Sequence, residues 1–218
     1  DTVKLNAEGM APIQAEFDKI AAIKDVEGIL ETVVDLQGSA FFQFYVGADI
    51  MDSKNNIFEL YQGGIGLGEK EYYLEDDEAT VNIRNEYKKH IVKMFQLAGM
   101  DEAKATQNME AAMEIETRLA KVSYSAVEQR NPAANYHKMT LDELKKEIPG
   151  FDWDAYLNKL GVQGVTFLNV SQIPPVKEAV EIINTLPMDK QIAYLQWKLI
   201  DSAATYLSAD FDEQNFAF

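Results

Sequence analysis

The stretch YKKHIVKMFQLAGMDEAKATQNMEAAMEIETRLAKV, running from Tyr87 to Val122, decides the fold class. Tyr87, Ile91, Met94, Phe95 and Ala98 recur at the three-and-four-residue spacing that places side chains on one face of an α-helix. Gly99 suits the left-handed position that follows a helix end, and Asp101 suits the cap of the next helix. That second helix carries its own stripe of Ala105, Met109, Ala112, Leu119 and Val122. Two long helices in succession, each with an apolar face to cover, predict a helix-on-helix core.

The same spacing extends outward in both directions. Toward the N-terminus, Ile13, Phe17, Ile20 and Ala21 share a face, and a short helix from Asp25 carries Ile29, Leu30, Val33 and Val34 before Gly38 breaks it. Toward the C-terminus, Val176, Ala179, Val180 and Ile183 form a stripe with Pro174 and Pro175 in the first turn, where proline is tolerated. Pro187 separates this helix from a last one carrying Ile192, Leu195, Leu199 and Tyr206. Leu195 and Leu199 face the same way. Trp197 between them must point elsewhere, and internal burial near Trp153 is the expectation.

Two regions break the helical pattern. Phe41–Val46 and Asn56–Tyr61 are aromatic and β-prone. The polar run Asp52–Asn55 between them, with Gly47 before it, predicts a hairpin whose loop is longer than two residues. Between residues 140 and 170 the elements are short. Thr140 and Glu143 form a capping box, Pro149-Gly150 ends that helix, and Asp152 starts another with Trp153, Tyr156, Leu157 and Leu160. Val165–Val170 reads as a short strand. The expectation is a mainly α, multi-helix lobe with one small β-hairpin, forming a single α-rich domain over residues 1–218.

Composition narrows the function. Apolar residues make up 47% of the 218, enough for a sizeable core. Thirty-six acidic against 20 basic side chains give a formal charge of −16, which repels phosphate backbones and argues against a nucleic-acid partner. The absence of cysteine excludes a disulfide framework, a cysteine-ligated zinc and a thiol nucleophile. The most apolar run, Ala40–Val46, contains Gln43 and falls far short of the about 20 residues that span a membrane. No signal peptide is visible, and the start at Asp1 without a methionine suggests processing or engineering.

The residues that could carry chemistry do not assemble into a known site. His90 follows Lys88-Lys89 on a helix and His137 follows Tyr136 in a loop. Neither has a partner at zinc-ligand spacing, so both read as surface or boundary histidines. Glu31 and Asp35 match Glu-x-x-x-Asp, a spacing common on solvated helix faces. Gly63-Gly64-Ile65-Gly66-Leu67-Gly68 lacks the Lys-Ser or Lys-Thr of a phosphate loop, and Glu69, Glu71, Glu75, Asp76 and Asp77 after it would repel an anion. A glycine-permitted turn is the plainer reading. The acidic run lacks the ligand order of an EF-hand, and no Gly-x-Ser-x-Gly elbow occurs. No catalytic, cofactor-binding or metal-binding residue is assigned.

Gln62–Leu74, QGGIGLGEKEYYL, resembles the glycine-rich, Asp/Glu-Tyr-Tyr-Leu stretch of the neprilysin family of zinc endopeptidases. Ile115–Ala120 resembles its Glu-x-x-Leu-Ala helix. Arg130-Asn131-Pro132 and Tyr136–Leu144 resemble its Tyr-Asn-x-Met-Thr-Leu-x-Glu-Leu segment. Pro149–Trp153, Tyr194–Leu199 and Tyr206-Leu207-Ser208 follow in order. The family's His-Glu-x-x-His helix, downstream Glu-x-x-x-Asp, Asn-Ala-Tyr/Phe segment and late histidine have no counterpart in residues 1–218.

The resemblance implies part of the N-terminal helical lobe that encloses the substrate cavity and restricts entry by size. On that reading the fragment is inactive alone and binds no zinc itself. Its partners are the zinc-bearing C-terminal lobe of the same polypeptide and, in the full-length enzyme, peptide substrates. The lack of cysteine points to a bacterial, exported member. Two alternatives stay open: a free-standing helical binding or scaffold module, and a hydrolase that uses carboxylates.

Overall fold

The structure is a computed structural model, and it describes residues 9–204 and 213–215. The expected Tyr206 at the end of the last stripe, and the Tyr206-Leu207-Ser208 block, lie outside the described residues. A 3₁₀ turn, Ala11–Ile13, leads into α1, Gln14–Ala21. Helix α2, Val26–Asp35, is capped by the Asp25 side chain, which accepts from the Gly28 amide at 2.9 Å. Short α3, Glu71–Leu74, precedes the two long helices α4, Glu78–Leu97, and α5, Glu102–Val122. Then come the short helices α6, Ala126–Gln129, α7, Leu141–Glu147, and α8, Trp153–Lys159. Helices α9, Ile173–Thr185, and α10, Met188–Ala203, follow.

The four long stripes do form the main core. Helix α5 lies at its centre, packed against α4, α9 and α10. Ala105, Ala112, Ile115 and Leu119 are fully buried, as are Ile91, Met94 and Phe95 of α4 and Val176 and Ala179 of α9. Gly99 has φ +104° and ends α4 in the left-handed conformation that its sequence position suggests. The Thr140–Glu143 capping box is complete, with both reciprocal bonds at 3.1 Å.

Trp197 is buried, but not beside Trp153. Its ring meets Tyr87, His90 and Phe95, and its indole N–H donates to the Tyr87 hydroxyl at 3.0 Å. Trp153 belongs to a separate aromatic group with Phe42, Phe151 and Tyr156, which fastens α8 to the start of the hairpin. Its indole donates to the Ile148 carbonyl at 2.9 Å.

The hairpin pairs β1, Phe42–Asp49, with β2, Asp52–Gln62, and Phe44 lies opposite Leu60. It differs from expectation in two ways. The turn is only Ile50-Met51, because Asp49 pairs with Asp52; the polar residues 53–55 instead bulge out of β2. The hairpin is also half of a four-stranded sheet. β4, Phe167–Val170, runs parallel to β2, and β3, Lys138–Thr140, runs antiparallel to β4, in the order β1-β2-β4-β3. Three residues are too few for a period-2 pattern to register in β3.

Asp49 closes the turn. It is buried, and its carboxylate accepts from the Met51 amide at 2.9 Å, the Tyr136 hydroxyl at 2.9 Å and Lys138 Nζ at 2.9 Å. The hydrogen bond from Lys138 holds the carboxyl below its ordinary range, helped by the Met51 amide and Tyr136. A depressed carboxyl stabilises the fold above its unfolded value, near pH 4, and loses that contribution as pH falls through the folded value. Asp49→Asn should therefore be less stable than wild type at pH 7, with the gap closing below about pH 4. Denaturant midpoints at pH 7 and pH 3 check this; a gap that does not change with pH would contradict it.

Candidate functional site

The glycine-rich segment after β2 is a shaped loop, held from below by one carboxylate. Glu116 sits on the inner face of α5 and is fully buried. Its Oε1 accepts from the Gly66 amide at 2.6 Å, the Tyr73 hydroxyl at 2.6 Å and the Tyr87 hydroxyl at 2.9 Å. Tyr87 also reaches Oε2 at 2.9 Å, and Lys198 Nζ lies 3.5 Å from Oε2. Burial, then the Glu116 charge, pushes both phenols well above their ordinary range, so both stay protonated and donate. The Tyr73 hydroxyl in turn accepts from the Leu67 amide at 3.0 Å.

A second tie crosses the loop. The buried Tyr194 hydroxyl donates to the Gly64 carbonyl at 2.8 Å and accepts from the Phe41 amide at 3.1 Å. Phe41 has φ 67°, an uncommon conformation for a non-glycine residue, held here by that bond and by burial of its ring. The glycines allow this closeness. A Cβ at Gly64 would lie 2.5 Å from the Tyr194 hydroxyl, and one at Gly66 would lie 2.1 Å from the Tyr87 hydroxyl. The loop is therefore glycine-rich because tyrosine hydroxyls touch its backbone, not because it cradles a phosphate.

Above the loop is a cleft of about 350 Å³. One wall is Gln43 with the backbone from Gln62 to Gly66; the other is the end of α10, with Lys198, Asp201 and Ser202. Lys198 is only 4% exposed, and its ammonium lies 5.4 Å from the Tyr194 ring centre. Asp201 stands at the rim. Partial desolvation raises its carboxyl above the ordinary range; Lys198 opposes the shift and Glu116 adds to it. A larger cavity, about 600 Å³, lies between the hairpin turn and residues 162–167, with Asp49, Lys138 and Phe167 in its wall.

The residues singled out from sequence do not converge. His90 departs from the surface reading: it is 3% exposed, packed edge-on against Trp197 at 5.6 Å, with Nδ1 3.1 Å from Gln214 Nε2. Burial lowers its pKa to about 4, which keeps it neutral. His137 is half-buried just before β3, its Nδ1 2.7 Å from the Val170 carbonyl. Glu31 and Asp35 each sit in a surface ion pair, with Lys159 at 3.6 Å and Lys19 at 3.7 Å. In the acidic run, Asp77 caps α4 and Asp76 meets Arg84 at 2.8 Å. Among the described residues, no three His, Asp or Glu side chains are placed to hold a metal ion.

The profile of peptidase family M13 matches residues 1–218. Endothelin-converting enzyme 1 of Cavia porcellus is 29% identical over 189 residues, which cover 83% of this chain and 24% of that protein. The crystal structure of zinc metalloprotease Zmp1 of Mycobacterium tuberculosis, in complex with an inhibitor, matches 100% of this chain with a TM-score of 0.92 at 24% identity. PepO of Lactobacillus rhamnosis matches 99% of it with a TM-score of 0.77 at 18% identity. The chain spans about a quarter of the curated relatives' length, and 34% of the Zmp1 chain.

Proposed function

Because this chain belongs to peptidase family M13, we propose that it is one domain of the helical lobe that encloses peptide substrates in a zinc metalloendopeptidase. The observation that carries this reading is the match of the whole chain, at a TM-score of 0.92, to about a third of a zinc metalloprotease. The described residues do not fit a zinc site, since no ligand set converges among them. Zinc, which in such an enzyme activates a water for attack on the peptide, would be held by residues other than those described.

The lobe's own contribution is confinement. A rigid wall around the cavity excludes water and admits flexible peptides ahead of folded proteins. Rigidity comes from the packed α4, α5, α9 and α10 and from the loop that Glu116 pins. No described helix is long and apolar enough to cross a membrane. By family analogy, the parent enzyme acts outside the bacterial cytoplasm.

The test is the longer gene and its product. The reading frame should continue into a His-Glu-x-x-His segment, and the full-length enzyme should cleave short peptides while leaving folded proteins intact. A natural stop at this chain's end, or efficient cleavage of folded proteins, would favour a free-standing binding module or an open protease instead.

A further inference from the structure

We infer that the cleft between the glycine loop and the end of α10 holds an uncharged stretch of peptide main chain, with Lys198 Nζ donating to a carbonyl oxygen. The inference deepens the proposed function and rests on it for the ligand class. Its geometry is independent of that reading.

Lys198 is the reason to expect a ligand there. An ammonium carries three donors, each able to bind an acceptor that enters the cleft. Among the described residues, Lys198 has two neighbours for its charge: Glu116 Oε2 at 3.5 Å and the face of Tyr194. Neither gives a hydrogen bond of ordinary length. Glu116 does not need one from Lys198, because Gly66, Tyr73 and Tyr87 already donate to it. The side chain is thus buried and its charge balanced, while the ammonium makes no short hydrogen bond to a described residue and lines a cleft much larger than the about 30 Å³ share of one water.

The charges around it select the acceptor. Lys198 brings one positive charge against the two carboxylates of Glu116 and Asp201, so a carboxylate or phosphate entering the cleft meets net repulsion. A neutral carbonyl does not. Asp201 and Ser202 lie three and four residues after Lys198, on the same side of α10, and can receive a main-chain N–H beside that carbonyl. The facing wall is Gly63 and Gly64 with the Gln43 side chain packed against Gly63, so it presents no charge to a peptide.

The probe is N-acetyl-trialanine amide, titrated into the ¹⁵N-labelled 218-residue chain while the Gly63, Gly64 and Gly66 amide signals are followed. Saturable shifts are expected, with affinity falling at least tenfold in Lys198→Met and being retained in Lys198→Arg. The same peptide with a free carboxylate should bind more weakly to wild type, and Asp201→Asn, a change at the cleft rim, should narrow that difference. The inference is overturned by no saturable shift in wild type, by equal affinity in a folded Lys198→Met, or by tighter binding of the carboxylate form. If Lys198→Met does not fold, the Asp201→Asn comparison decides. Failure here leaves the enclosing-lobe reading standing, since that is judged by the full-length enzyme's choice between peptides and folded proteins.

Discussion

Glu116→Ala should lower the free energy of unfolding by about 3–5 kcal/mol, the range seen when one partner of a buried charge pair is removed. Two separate losses add. Lys198 is left as a buried cation whose counter-ion is gone, and the Gly66 amide and the Tyr73 and Tyr87 hydroxyls lose their acceptor. The loop above should loosen with the core below, because the same carboxylate serves both. Glu116→Gln keeps an acceptor and the side-chain shape but not the charge, so it should fall between wild type and alanine. Urea titrations followed by tryptophan fluorescence would read this directly, since Trp197 donates to Tyr87 within the same network. A loss in Glu116→Ala of less than about 0.5 kcal/mol, the range of an ordinary surface change, would mean that the network does not hold the loop.

Leu195→Ala should cost about 2–5 kcal/mol, as expected for truncating a fully buried leucine whose surroundings relax only in part. Leu195 faces the core on the same side of α10 as the less deeply buried Leu199. Helix α10 packs on both α5 and α1, so a cavity there opens between elements distant in sequence. Denaturant midpoints with an unchanged slope would report this as a stability loss alone. A cost of only a few tenths of a kcal/mol would place the wrong face of α10 in the core.

The helical architecture was legible because each long helix shows its apolar stripe locally, and Asp25, Asp101, Thr140 and Gly99 mark its ends by mechanisms confined to a few residues. The hairpin was legible for the same reason. Its exact turn was not, because Asp49 fixes it through Tyr136 and Lys138, nearly 90 residues away. β3 escaped notice since its three residues become a strand only by pairing with β4. Trp197 could be recognised as buried, but not its partners, which tertiary packing alone decides.

The Glu116 site had a signal that went unused. Glu116 continues the α5 stripe four residues after Ala112 and three before Leu119, so a charge stands where the pattern calls for an apolar side chain. A charge in that position has to be paired if the helix is buried as its stripe implies. Lys198 gave a similar signal one residue after Trp197. Nothing in the spacing links the two, which lie 82 residues apart and meet only in the fold. His90 was misread because its Lys88-Lys89 neighbours suggested solvent, whereas its own place on α4, one residue before Ile91, faces Trp197.

The proposed enclosing role places the catalytic zinc outside the described residues. Equilibrium dialysis of the purified 218-residue chain against zinc, followed by elemental analysis and a peptide-cleavage assay with and without chelator, checks this proposal. No stoichiometric zinc and no chelator-sensitive cleavage are expected, because carboxylates and two separated histidines offer zinc no closed ligand set. One tightly held zinc per chain, or peptide cleavage that a chelator abolishes, would contradict it.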